Sequence, residues 1–226
     1  MRLAVALACL AAAVLAAPAR GGAAETVRSG TAFFVSPSGY MITSGHVVAG
    51  CSTVPVWPVE GKEIPAKVVA TSADPDLALL STGEKTAEFA AVAGLDPPPA
   101  HADLATVGFG VLPHYPKLPV LSRGRYLGTE KTPSGRQVLI MDSAELPEGN
   151  SGGPVIDRQG ALVGIVVGRL ARAPEHGVLV SARDIARFLT AHGAGGLSIT
   201  PPPEKPPAAA AVLYGISGLV QCGPDS

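Results

Sequence analysis

From Thr31 onward the chain alternates short apolar runs with clusters of Gly, Pro, Asp and Ser. That rhythm belongs to an antiparallel β protein with tight turns rather than to a helical bundle. TAFFVS and YMITSG flank Ser36-Pro37-Ser38-Gly39. Pro in second place and Gly in fourth suit a type I turn, so these two runs are expected to form a hairpin. VPVWPV (54–59), IPAKVVATS (64–72), DLALL (76–80) and ATVGFGV (105–111) continue the series. After the Pro-rich LPHYPKLP (112–119) a second series follows: VLSRGRYLG, QVLIMDSA, GPVIDRQGALVGIVVG and GVLVSA, with Asp157-Arg158-Gln159-Gly160 as a further turn. Two sets of similar size predict an all-β protein of two small barrels or sandwiches, over 28–111 and 120–193, with 112–119 as the crossing between them.

The period changes only at SARDIARFLTAHG (181–193). Ser181 caps a helix there, Ile185, Phe188 and Leu189 form one apolar stripe, and Gly193 ends it. A Gly/Pro/Ala-rich linker is expected over 194–210, its prolines favouring extended backbone. AVLYGISGLVQC (211–222) is apolar again, either a frayed tail or a terminal strand docked on the body, ahead of a short tail to 226.

At the other end, MRLAVALACLAAAVLAAPARGGAAE carries one early positive charge, an apolar run from Leu3 to Ala17, and small residues at Ala17-Pro18-Ala19. This reads as a secretory signal peptide over 1–19, cleaved after Ala19 or after Ala24. The run is shorter than the ~20 apolar residues of a spanning helix, so no stable membrane span is expected once it is removed. The mature protein is then exported, to a bacterial periplasm or beyond. Export leaves Cys51 and Cys222 as an even count in a compartment that permits disulfides; the other reading is two buried free thiols.

Composition narrows the function. Of 226 residues, 47% are hydrophobic and 15% charged, enough apolar surface for a packed core. The formal charge of −1 supplies no basic face for nucleic acid. No metal-ligand cluster, phosphate loop or nucleotide motif stands out, so neither metal nor cofactor is expected.

One stretch invites chemistry. In EGNSGGPV (148–155) a single hydroxyl, Ser151, is surrounded by small residues. A serine hydroxyl is a poor nucleophile without a base, most often an imidazole. His101, His114, His176 and His192 fall in polar or Pro/Gly-rich loops or at the helix end, whereas His46 follows a predicted strand, after Ser44-Gly45 and before Val47-Val48. A working imidazole needs a carboxylate on its far nitrogen. Asp76, which opens the apolar DLALL, is the candidate; Asp74, across Pro75, is its rival. The glycines let the backbone turn so that the N–H groups of Gly149 and Ser151 point into one hollow able to hold an oxyanion. An idle serine in a flexible turn would not bring a suited His and Asp with it.

Together these segments resemble the chymotrypsin-like serine proteases, most closely the bacterial HtrA-type branch. SGTAFFVSPSGYMITSGHVV is similar to that branch's histidine hairpin, DPDLALL to its aspartate segment and MDSAELPEGNSGGPVID to its serine loop, and the likeness runs over roughly 28 to 192. The resemblance implies two six-stranded antiparallel β-barrels with a C-terminal helix. His46 would be general base and then acid, Asp76 its orienting partner, Ser151 the nucleophile, and Gly149 and Ser151 the oxyanion donors. Glu145, Leu146, Pro147 and Glu148, with Ile165, Val166, Val167 and Gly168, would border the primary specificity pocket. A Cys51–Cys222 bridge resembles an arrangement in small exported relatives. The residues beyond Gly193 are too few for the PDZ domain usual in that branch, and its trimerising aromatic segment is missing, so a monomer is expected. The implied activity is serine endopeptidase on peptide or protein substrates. The alternatives are an inactive member of the fold that binds peptides or proteins, and a structural module of the cell envelope.

Overall fold

The structure, a computed structural model, describes residues 27–109, 118–143 and 146–223. The expected signal peptide, most of the 112–119 segment, Glu145 and the last three residues lie outside them. The first barrel is built from β1 (Arg28–Phe34), β2 (Tyr40–Thr43), β3 (Thr53–Pro58), β4 (Ile64–Ala73) and β5 (Asp76–Ser81). A parallel two-residue pair, β6 (Ala91–Val92) with β13 (Ser198–Ile199), stands apart from both barrels. The second barrel comprises β7 (Asp103–Phe109), β8 (Pro119–Lys131), β9 (Gln137–Asp142), β10 (Pro154–Asp157), β11 (Leu162–Leu170) and β12 (Ala173–Ser181), and closes in the order β10-β11-β12-β9-β8-β7. The last strand, β14 (Ser217–Cys222), returns to close the first barrel as β1-β14-β3-β4-β5-β2.

Two boundaries differ from the expectation. The run that includes β7 was expected in the first barrel, yet β7 pairs with β8 and β10 in the second. Residues 112–119 therefore join two neighbouring strands of one barrel, and the chain crosses between barrels ahead of Asp103. Prolines mark a connection but not which strands it connects; that is set by long-range pairing. At the other end, 211–222 is not one strand. Ala209–Ile216 forms helix α2 and only Ser217–Cys222 is extended. The good helix formers Ala and Leu dominate α2, and it buries Leu213 against Ala105, Val107 and Ile156 on the outside of the second barrel.

The expected helix is α1 (Ala182–Ala191), with the Ser181 side chain accepting from the Asp184 N–H and Ile185, Phe188 and Leu189 buried. Its stripe packs with Phe33, Ile42, Leu77 and Leu79 into a core shared by both barrels, while Ala32, Phe34, Met41, Ala78 and Leu80 fill the first barrel's interior. Successive side chains of β1 and β5 thus face opposite apolar surroundings, which is why FF and DLALL read as unbroken apolar runs. Cys51 and Cys222 form a disulfide, Cα atoms 6.0 Å apart and 171 residues apart in sequence, fastening β14 to the turn beyond β2.

Candidate active site

Strand β2 ends at Thr43, and after the extended Ser44 the chain tightens into a 3-10 turn over Gly45–Val47. Val47 is buried and anchors this turn, so the neighbouring His46 is carried at the rim. The His46 main-chain N–H donates to Asp76 Oδ1 at 2.9 Å, and its ring Nδ1 lies 2.6 Å from Asp76 Oδ2. One carboxylate therefore fixes both the backbone and the ring. A cleft of about 570 Å³ lined by His46, Asp76, Gly45, Val68 and Ser72 opens beside the pair.

The close approach depends on Gly45. A Cβ there would lie 2.9 Å from Asp76 Oδ1 and 3.0 Å from Ser72 O. Gly45→Ala is expected to push the carboxylate from the ring and lower turnover about tenfold to a hundredfold; steady-state kinetics alongside a thermal melt would separate this from misfolding. Asp74, the rival carboxylate, instead pairs with Arg136 of the second barrel.

Ser151 sits on a turn held by main-chain hydrogen bonds on both sides of it. Asn150 N–H donates to Pro147 O, Gly152 N–H to Val166 O and Gly153 N–H to Asn150 O. Gly149 and Gly152 have φ of +97° and +84°, the left-handed region where glycine is favoured. A Cβ on Gly152 would run into Thr31 O and Thr43 Oγ1.

Thr31, which the sequence did not single out, docks this turn onto the first barrel. Its N–H donates to Ser151 O at 2.8 Å and its Oγ1 to Gly149 O at 2.9 Å. Thr43 Oγ1 donates in turn to Thr31 O at 2.7 Å, and Ser44 Oγ to Val166 O at 3.1 Å. The rim that bears His46 is thereby held against the serine turn. Among the described residues no acceptor takes the Gly149 or Ser151 N–H, and no hydrogen bond joins Ser151 Oγ to the His46 ring.

A family profile for the trypsin-like peptidase domain matches residues 30–165. The chain belongs to the trypsin-like peptidase family. Relatives include uncharacterized protein y4bJ of Sinorhizobium fredii, 34% identical over 69% of this chain and 24% of that protein. Serine protease Rv3671c of Mycobacterium tuberculosis is 30% identical over 75% of this chain and 43% of its own length. A probable periplasmic serine endoprotease, DegP-like, of Bartonella henselae is 32% identical over 60% of this chain and 27% of its own. The chain thus spans less than half the length of these curated relatives. Among solved structures, the HtrA-type protease AlgW with decapeptide superposes with a TM-score of 0.64 at 23% identity, over 73% of this chain and 51% of that one. The twin barrels are the fold shared with such proteases.

In this trypsin-like peptidase domain a second cavity, about 590 Å³, opens between the serine turn and the β11–β12 hairpin. Leu146, Pro147, Ser143, Arg169, Pro174 and Glu175 line it. Of the described side chains expected around a specificity pocket, Leu146 and Pro147 line this cavity. Ile165 and Val166 are buried, one in the shared core and one inside the second barrel; β-branched residues on a strand fill cores, and the strand meets the serine turn through its main chain instead. Glu148 is exposed, Val167 packs against the shared core, and Gly168 is absent from the lining. Glu145 lies outside the described residues. Arg169, one position past the expected segment, hydrogen-bonds to Leu146 O.

Proposed function

We propose that this chain is an exported serine endopeptidase. The observation that carries the reading is the hydrogen-bonded His46–Asp76 pair on a rim that Thr31 locks onto the serine turn and Ser44 onto β11. In the proposed reaction His46 Nε2 takes the proton of Ser151 Oγ as that oxygen attacks a peptide carbonyl. Asp76, accepting from Nδ1, holds the ring in the tautomer that leaves Nε2 free and stabilises the imidazolium. The Gly149 and Ser151 N–H groups receive the oxyanion. His46 then returns the proton to the departing amine, and the acyl group on Ser151 is released when water, deprotonated by the same imidazole, attacks it. Only the neutral ring accepts the serine proton.

The substrate is a peptide or an unfolded stretch of protein, a reading supported by the open cavities flanking the turn and by the decapeptide bound to AlgW. Export is supported by the DegP-like relative's periplasmic description, and the working unit is a monomer. A second reading, a peptide-binding module without turnover, draws on the missing Ser151–His46 hydrogen bond, although such bonds commonly tighten only once substrate is bound. A fluorophosphonate probe decides between them. Stoichiometric labelling of Ser151 in the folded protein, with cleavage of a mixed peptide library, is the expected result; neither labelling nor cleavage would reject the enzyme.

A further inference from the structure

Beneath the serine turn lies a group of polar side chains that the proposed reaction does not use. Asn150 is 2% exposed, yet neither its Oδ1 nor its Nδ2 has a hydrogen-bond partner. Thr106 Oγ1 and Ser122 Oγ, on residues 0% and 1% exposed, are likewise unpartnered. The strands bring these residues to one place. Thr106 and Ser122 are directly opposed in the β7–β8 ladder, and opposed side chains share a face. Gly108 lies two residues along β7 on that same face. A Cβ on Gly108 would meet the Asn150 carboxamide and stand 2.6 Å from Asn150 Cα, while one on Gly153 would stand 3.3 Å from Thr106 Oγ1. Leu104, on the same face, packs inside the second barrel with Tyr126, Met141 and Val166. The barrel's interior is therefore apolar along most of its length and polar where it meets the turn.

We infer that Asn150, Thr106 and Ser122 form a positioning set that holds the Gly149–Ser151 turn in its anion-accepting form from below. The inference rests on the reading of Ser151 as nucleophile. Buried polar groups are almost always hydrogen-bonded; two hydroxyls and a carboxamide offer donors and acceptors to a shared buried water, which needs two to four such partners. Gly108 is the position that leaves room for the carboxamide. Thr31 fixes the turn from the first barrel through Gly149 O and Ser151 O, and the polar set fixes the intervening residue from the second. Asn150 acts through the N–H groups of its two neighbours and touches no substrate atom, so it is a positioning residue.

The test compares wild type, Thr106→Val, Ser122→Ala, Thr106→Ser and Ser151→Ala in the full mature chain. Hydrogen exchange over residues 146–153, thermal melts, fluorophosphonate labelling rates and peptide kinetics are measured for each. Thr106→Val and Ser122→Ala are expected to speed exchange of the turn amides and to lower kcat and labelling about tenfold, a fraction of what losing an oxyanion donor outright does. KM should stay within about threefold, the signature of an interaction felt mainly in the transition state. Thr106→Ser, which keeps the hydroxyl, should behave as wild type. Idle hydroxyls predict the reverse: a raised melting temperature with exchange and kcat unchanged, and that result overturns the inference. Faster exchange with unchanged labelling would also overturn it, by detaching the set from catalysis. Exchange reports on the turn without turnover; wild type as silent as Ser151→Ala towards probe and peptide would instead defeat the nucleophile reading.

Discussion

Ser151→Ala is expected to abolish peptide cleavage, lowering kcat by roughly 10⁴- to 10⁶-fold, while leaving the fold intact. The oxygen proposed as nucleophile disappears, but both hydrogen bonds from Thr31 that seat the turn on the first barrel use the main chain of this segment: Thr31 N–H to Ser151 O and Thr31 Oγ1 to Gly149 O. A methyl in place of the hydroxymethyl group disturbs neither. The melting temperature should therefore stay within about 2 °C, equivalent to less than about 1 kcal/mol for a domain of this size. His46→Ala should cost a comparable factor, and the double variant little more, because a nucleophile and its base lose their effect together. Single-turnover assays with matched melts check all three. Full activity in folded Ser151→Ala would require a different nucleophile.

The second large effect concerns stability. Removing the Cys51–Cys222 bridge, by reduction or by replacing both cysteines with serine, is expected to cost about 5 kcal/mol on the chain-entropy account, since its two ends are 171 residues apart in sequence. For a domain of this size that corresponds to a melting temperature roughly 10 °C or more lower. The loss should fall first on the first barrel, where β14 sits between β1 and β3 and Val220 and Cys222 pack with Val47 and Val48 beside the His46 turn. Calorimetry with and without reductant is the direct measurement. Reduced wild type and the double variant should melt together, and reductant should leave the variant unchanged; a shift below about 2 °C would mean that the strand holds by its ladder and apolar contacts alone.

The candidate residues stand out in the sequence because each sits in a local context of its own. Ser151 stands among glycines, His46 ends a strand after two small residues, and Asp76 opens a strand buried on both faces. Choosing Asp76 over Asp74 could be suggested by position, but the decision lies in Arg136, distant in sequence and paired with Asp74. Thr31 and Asn150 escaped notice for the same reason. Thr31 acts through a hydrogen bond to a carbonyl 118 residues away, and Asn150 through strands that only the folded ladder aligns. Strand identities were readable from apolar runs, yet barrel membership was not, since β7 carries no mark of the partners it will choose. Ile165 and Val166 lie in the cores, as a β-branched run on a strand does, and Arg169 lines the cavity beside Leu146 and Pro147.

Because the first barrel borrows its closing strand from residues 217–222, the order of synthesis bears on when the molecule becomes competent. The second barrel draws all six strands from residues 103–181 and can assemble as soon as they leave the ribosome. The lobe bearing the histidine must wait with the edges of β1 and β3 unpaired, a long-range closure of the kind that slows folding and exposes edges to aggregation. A nascent chain would thus complete the histidine-bearing barrel only once residues 217–222 have emerged, and chaperone contact should concentrate on those two waiting edges.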